Sequence, residues 1–335
     1  SIQTKYEMKY LLCLLVLLIK PAFGQNKVKD YYADLNSSLK EFAITKDTAS
    51  YLSNQYDLAK EYGSLYIDLS FRTKIIEDFY TVFGERKTRK FISILARKSI
   101  VMDSYFKTLS ESKLFGSDTF YREINLTKII NKNSKYYDKL FSNYNLFNSV
   151  SANSFYDPDQ LARHISGDYN CVNKSNISNV IYYSDSLNLI RLYHLLEDQG
   201  FPKSNNVGAF GYFILFFHTI ARPCNYQFEL PNGKNAMQYF DSVLLKEVEL
   251  GNFDNHEYGY FVDKALTYSS CGKFHQTYGV LYRETKDIYP IMNIEAVDER
   301  RAQIFLPPLW VDSINYGFEL PKEYPLPLDY LELIK

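Results

Sequence analysis

Helical spacing of apolar residues runs through most of this chain and limits what it can fold into. Between residues 25 and 150 apolar side chains return every three or four positions, as Val28, Tyr31 and Leu35 do. That period places an apolar stripe on one face of each helix, and the stripe has to pack against a neighbouring helix. Asp47 is predicted to cap one of these helices at its start. The amino-terminal half is therefore expected to be a set of antiparallel helices.

A second helical region begins near residue 155. Residues 207–221 are apolar on nearly every side, which is typical of a buried central helix. Residues 273–282 follow a Cys271-Gly272 turn signal and are predicted to form an extended segment or hairpin. Further helices are predicted over 187–199, 234–250, 255–268 and 298–304.

Together these segments predict a mostly α fold with a small β-hairpin. Aromatic residues make up 17% of the chain, which is too many for a disordered protein. The expected organisation is a signal peptide over 1–24, an antiparallel helical N-terminal region over 25–150, a helical C-terminal domain over 155–316 that carries the hairpin, and a C-terminal tail over 317–335.

The amino-terminal segment has the pattern of a secretory signal peptide. Lys9 follows Met8, the predicted start, a continuous apolar run covers residues 11–19, and Ala22 and Gly24 supply small residues at the cleavage site. The run is shorter than the roughly 20 residues that span a bilayer. We therefore expect cleavage after Gly24, an exported chain that is periplasmic or secreted, and no membrane span after cleavage.

Composition excludes some classes of partner and cofactor. Lys and Arg number 38 against 39 Asp and Glu, so there is no excess positive charge for phosphates, and no nucleic acid is expected as a partner. Three cysteines follow the signal peptide, and they allow one disulfide with a free thiol or three reduced thiols. No metal site or cofactor is predicted, because the cysteines lack the spacing of metal ligands. The three are Cys171, Cys224 and Cys271.

The polar residues that suit a functional site lie in the C-terminal domain. His218 lies in the last turn of the apolar helix, where a histidine can be charged by the helix dipole or can stay neutral and hydrogen-bonded. Asp263 falls in the middle of a predicted helix. Arg300 and Arg301 open the final helix just before an apolar run, so at least one is expected to point inward and need an acceptor. The predicted catalytic residues are His218 and Asp263, and the predicted ligand-binding residues are Gln160, Arg163, Gln276, Tyr278, Arg300 and Arg301.

A second group of polar residues and a search for common enzyme motifs do not indicate a further functional site. Asp254, His256 and Glu257 lie close together, but Asp254 or Asn255 as a helix cap, with acidic residues in the first turn, explains them better than a metal site. The chain has no Gly-rich phosphate loop, Gly-x-Ser-x-Gly elbow or His-Glu-x-x-His motif. The enzyme classes that depend on those motifs are not predicted.

An ordered series of short motifs runs from about residue 157 to 310. The motifs are Asp159-Gln160 with Arg163, Gly200-Phe201-Pro202 with Val207-Gly208, His218, Val262-Asp263-Lys264, Gln276-Thr277-Tyr278-Gly279, Val297-Asp298-Glu299-Arg300-Arg301 and Leu306-Pro307-Pro308-Leu309. In their order and spacing this part of the chain, roughly half of it, resembles a bacterial domain family of unknown function that is often found in exported proteins. The chain departs from that family at Lys264, where the family usually has Arg.

Three functions remain open for these residues. In a binding module, the leading hypothesis, a pocket around His218, Arg163 and Gln276 takes a small polar or anionic ligand, or the module binds an envelope protein. In a metal-independent hydrolase or transferase, His218 is the general acid–base, and Arg163 and Arg301 hold a carboxylate or phosphate. In a scaffold, Asp298 pairs with Arg163 or Arg301. Gln276 then fixes the backbone of the hairpin.

Overall fold

The computed structural model describes residues 27–63, 65–66, 73–98, 178–202, 214–220, 228–269, 275–282 and 286–333. Helices account for 71% of these residues, which confirms the mostly α class. The described residues contain isolated β-bridges and no sheet, among them a bridge between Gln276 and Ile291 and another between Tyr282 and Ile288. The small hairpin predicted over 273–282 is therefore not confirmed.

The first three helices of the chain pack on one another. Helix α1 covers residues 27–45, α2 Thr48–Tyr62 and α3 Thr73–Lys98. Asp47 caps α2 as predicted, because its side chain accepts hydrogen bonds from the first backbone N–H groups of the helix. Gly84 interrupts α3 with a non-helical backbone at φ +72°. The helical character expected for this region holds over its described residues.

Aromatic rings fill the contacts between these helices. Tyr31 of α1 and Tyr62 of α2 meet edge to face with ring centroids 5.4 Å apart, and the centroids of Tyr56 on α2 and Phe91 on α3 lie 6.0 Å apart. These distances fall in the range in which aromatic pairs attract each other beyond the area they bury. Packing of rings therefore contributes to holding α1, α2 and α3 together, beside a hydrogen bond from the hydroxyl of Tyr62, on α2, to Asp34, on α1.

The C-terminal helices match most of the predicted ranges. Helix α4 covers Ser178–Gln199 and begins nine residues before the helix predicted over 187–199. A π-helix, Ile214–Ile220, lies within the apolar stretch 207–221, whose other residues fall outside the description. The remaining elements are α5 at Ala236–Glu249, α6 at Asn255–Ser269, a 3-10 turn at Ile294–Ala296, α7 at Val297–Gln303, α8 at Leu309–Tyr316 and α9 at Leu328–Leu333.

Phe305 joins the amino-terminal helices to the C-terminal part. Its ring stacks on Tyr32 of α1 at 5.2 Å, nearly parallel, at 6°. Its backbone carbonyl accepts hydrogen bonds from the side-chain amides of Asn36, on α1, at 2.9 Å and Asn255, on α6, at 2.8 Å. The residue has a positive φ of 61°, a rare conformation for a bulky side chain. Contacts from both sides hold this conformation in place.

The segment after α8, predicted to be a tail, packs on the body of the protein. Phe318 and Tyr324 are buried with Trp310 and with Ala43 of α1. The hydroxyl of Tyr324 also donates a hydrogen bond to Asp298 at 2.6 Å.

None of the helices in the described ranges is long and apolar enough to cross a membrane.

Candidate functional site

The segment 275–282 lies against α6 and is held there by one carboxylate. Asp263 is fully buried, and its Oδ1 accepts hydrogen bonds from the backbone N–H groups of Thr277 at 2.6 Å and Tyr278 at 3.0 Å. Its Oδ2 accepts from the N–H of Val280 at 3.1 Å. Burial raises the pKa of Asp263 to about 6 against the lowering effect of these hydrogen bonds and of nearby Arg301. The carboxylate thus accepts the backbone hydrogen bonds that the carbonyls of a neighbouring strand would otherwise accept from this segment.

The side-chain amide of Gln276 binds backbone groups of the same segment and of Tyr289. The residue is fully buried, and its Nε2 donates to the carbonyls of Leu281 at 3.0 Å and Tyr289 at 2.8 Å. Its Oε1 accepts from the N–H of Leu281 at 2.7 Å. Both N–H groups and the oxygen of the amide are thus satisfied by backbone. These side-chain bonds satisfy backbone groups that a hairpin would pair strand to strand, which explains why only isolated bridges form here.

Gly279 allows the turn at the centre of the segment. Its φ is +69°, and a Cβ at this position would lie 2.6 Å from Cδ1 of Ile291 and 3.2 Å from Cδ1 of Leu309. Only glycine avoids both the backbone strain and the overlap.

Arg301 binds three parts of the C-terminal region together. The side chain is fully buried, its Nε donates to the carbonyl of Pro307 at 2.6 Å, and its Nη1 donates to the carbonyl of Tyr278 at 2.8 Å. Its Nη2 forms an ion pair with Asp312, on α8. Asp298, proposed as a partner for Arg301 in the scaffold hypothesis, instead accepts from the N–H of Leu309 at 2.8 Å. The pairing with Arg301 was wrong, because α7 turns Asp298 toward the start of α8, whereas the alternative pairing with Arg163 lies outside the described residues.

Arg300 is also engaged by the protein itself. Its Nε donates to the carbonyl of Thr277 at 2.9 Å, and its other nitrogens reach the carbonyls of Met292 and Asn293. Unlike Arg301 it remains partly exposed. We call Asp263, Gln276, Arg300, Arg301 and Asp312, with the backbone groups they bind, the frame.

Three of the predicted site residues cannot be placed against the frame. Gln160 and Arg163 lie outside the described residues, as does the side chain of His218, although its backbone belongs to the π-helix Ile214–Ile220. The roles proposed for them stay predictions. The structure brings together Asp263, Gln276, Tyr278, Arg300 and Arg301.

A cleft of about 490 Å³ opens beside the frame, between α5, α6 and the segment 275–282. One wall comes from the frame's own segment, through His275 and Thr277. The size lies within the 300–1,000 Å³ that is usual for small-molecule sites. The lining residues are Met237, Gln238, Asp241, Val262, Leu266, His275, Thr277 and Met292.

Asp241 is the one carboxylate among these lining residues, and reasoning from the sequence did not select it. It is half-buried on α5, and one of its oxygens accepts a hydrogen bond from the hydroxyl of Tyr258 at 2.7 Å. The ring of Tyr258 lies in turn beside that of Tyr278, with the ring centroids 6.0 Å apart. Burial raises the pKa of Asp241, although the bond from Tyr258 opposes the shift. The only signal in the sequence is a single acid between Ala236 and Leu245, the largely apolar part of α5.

The polar group at the start of α6 is a helix cap. Asp254 accepts a hydrogen bond from the N–H of Glu257 at 3.0 Å, which confirms the capping prediction. Within the described ranges, no group of three or more His, Cys, Asp or Glu side chains is arranged to hold a metal ion.

Comparison of the chain with protein-family models, with curated proteins and with solved structures finds no match. The geometry of the frame and the cleft therefore carries the functional argument.

Proposed function

We propose that the C-terminal region is a binding module, in which the frame holds the segment 275–282 rigid and a small ligand binds in the cleft between α5 and α6. One observation carries this proposal. The polar side chains of the frame point to internal partners, whereas the cleft combines apolar walls with a few polar groups, which is the usual composition of a ligand site.

The arginines of the frame favour a polar ligand over an anionic one. Arg301 is fully buried and donates to Pro307, Tyr278 and Asp312. Arg300 donates to three backbone carbonyls. A guanidinium that is already hydrogen-bonded through each of its three nitrogens has little to offer a carboxylate or phosphate. Binding of an acidic ligand is therefore not expected at this cleft.

The methionines provide a direct test of binding. The chain has four, Met8, Met102, Met237 and Met292, and the last two line the cleft. With ¹³C-methyl-labelled methionine, fragments that occupy the cleft are expected to shift the methyl signals of Met237 and Met292. Signals that stay unchanged across a fragment library of varied charge and size would contradict the proposal and favour a scaffold.

A matched pair of variants places the ligand. Gln238→Trp introduces a ring at the cleft lining, whereas Ser242→Trp introduces the same ring at an exposed position of α5 that is not part of the lining. Gln238→Trp should abolish the ligand-induced shifts and Ser242→Trp should preserve them. Equal effects of both variants would place the ligand elsewhere.

We also propose that the protein is exported to the cell envelope and belongs to the family that its motifs resemble. The apolar run over 11–19, followed by Ala22 and Gly24, supports export. Mass spectrometry of protein from its native host is expected to find an amino terminus at Gln25. A cytoplasmic protein that keeps residues 8–24 would contradict export.

A further inference from the structure

We infer that Asp241 recognises a protonated amine, so that the ligand of the cleft is a small molecule with an apolar body and a cationic amine head. This inference rests on the binding function proposed above and names the class of ligand. It follows from the hydrogen bonds of Asp241, from the charges around it and from the walls of the cleft.

The hydrogen bonds of Asp241 are incomplete. A carboxylate has room for about four donors. Among the described residues Asp241 receives one, from the hydroxyl of Tyr258, and that donor is neutral. Asp263, by comparison, receives bonds from three backbone N–H groups. Asp241 therefore has acceptor capacity left on the side of the cleft.

The charge of Asp241 is also uncompensated within the described part of the chain. The lining residues include no Lys or Arg, and Asp241 forms no ion pair with any described residue. The other titratable groups nearby are His275, which is exposed, and the hydroxyls of Tyr258 and Tyr278. Partial burial of a carboxylate charge costs free energy when no cation lies beside it, and binding of a positive partner offsets this cost. A ligand ammonium supplies the charge and up to three hydrogen-bond donors.

The remaining walls select the body of the ligand. Val262 and Leu266 of α6 face the cleft together with Met237 and Met292. Aliphatic and thioether side chains favour an apolar group, and methionine adapts to its shape. The cleft thus suits an alkyl or aryl amine.

Isothermal titration with 2-phenylethylamine and with its neutral counterpart 2-phenylethanol tests the inference. At pH 7 the amine is expected to bind the full chain at least ten-fold more tightly than the alcohol. Asp241→Asn should remove this preference by weakening amine binding, because the amide carries no negative charge while its oxygen can still accept from Tyr258. Glu249→Gln, which removes a charge from the exposed end of α5, should keep the preference.

The outcomes separate the two proposals. Equal binding of amine and alcohol, or tighter binding of phenylacetate, would overturn the role of Asp241 while leaving the cleft a binding site. A preference for the amine that survives in Asp241→Asn would also overturn it. If neither compound binds, and amines of other sizes leave the methyl signals of Met237 and Met292 unshifted, the amine inference fails. The binding function itself fails as well if the fragment library of varied charge and size also leaves these signals unshifted.

Discussion

Two buried or half-buried carboxylates, Asp263 in the frame and Asp241 in the cleft, lie on neighbouring helices and have opposite surroundings. Asp263 is enclosed by backbone donors from the segment 275–282, whereas Asp241 has one neutral donor and faces a cleft. The number of hydrogen bonds that the protein itself supplies separates an internal support from a candidate binding group. Residue type alone does not make this distinction.

The comparison leads to opposite expectations for substitutions. A side chain of the frame leaves buried partners unpaired when it is removed, and unpaired buried groups lower stability. A side chain of the cleft has few partners to leave behind. Substitutions in the frame should therefore cost stability, and substitutions in the cleft should cost ligand binding.

The largest effect is expected for Arg301→Met. This change leaves Asp312 as an unpaired charge in the core and removes the donors to Pro307 and Tyr278. Breaking a buried ion pair on one side typically lowers the free energy of unfolding by about 3–5 kcal/mol. Urea denaturation measures the loss, and Arg300→Met, at a partly exposed position, should lose less. If Arg301→Met lowers the free energy of unfolding no more than Arg300→Met does, the stabilising role assigned to the buried Arg301 is contradicted.

Asp263 gives the frame a pH dependence. Its pKa in the folded protein is raised to about 6, above the ordinary value of 3.8, so the folded state binds this proton more tightly than the unfolded state. The free energy of unfolding that this group contributes should therefore fall as the pH rises from about 4 to about 6, by an amount of order 3 kcal/mol. The difference between the wild type and Asp263→Asn, measured by urea denaturation across this window, isolates the effect. A difference that is constant with pH would contradict it.

Gly279→Ala should have an intermediate effect. The added methyl overlaps Cδ1 of Ile291 and the backbone keeps its positive φ, so we expect a loss of about 2–3 kcal/mol. Gly317→Ala is the matched control, because Gly317 has a similar φ of +74° and no atom within 4 Å of the added Cβ. Thermal unfolding should show the smaller loss for Gly317→Ala. Equal losses of stability in the two variants would mean that the segment 275–282 shifts to accommodate the added methyl group, and that it is not rigid.

The smallest effect on stability is expected for Asp241→Asn. The amide keeps an acceptor for Tyr258 and removes a charge that burial disfavours, so the free energy of unfolding should change by less than about 0.5 kcal/mol. Urea denaturation of the variant beside Asp263→Asn measures both at pH 7. A loss of several kcal/mol would show that Asp241 belongs to the internal support of the fold.

Local signals predicted the helices of the C-terminal region well. The helix predicted over 255–268 is Asn255–Ser269, and the one predicted over 298–304 is Val297–Gln303. Apolar spacing and a capping side chain act within a few residues, so the sequence displays them directly. The predicted set Asp263, Gln276 and Arg301 also proved to lie together.

Contacts between distant segments explain what the sequence did not predict. The hairpin expected over 273–282 is not confirmed: its described residues, 275–282, form only isolated bridges, because the side chains of Asp263 and Gln276 take backbone groups that a strand would pair. The importance of Asp241 depends on Tyr258, 17 residues away, and on a cleft that exists only after α5 and α6 pack. Neither feature has a local pattern.

A crystal structure of the protein soaked with 2-phenylethylamine tests most directly whether the frame and the cleft have separate roles. We predict the ammonium nitrogen at about 3 Å from the carboxylate of Asp241, with the ring between Met237 and Leu266. The hydrogen bonds of Asp263 and Arg301 should be unchanged. An amine bound away from Asp241, or a ligand that displaces the partners of Arg301, would contradict this division.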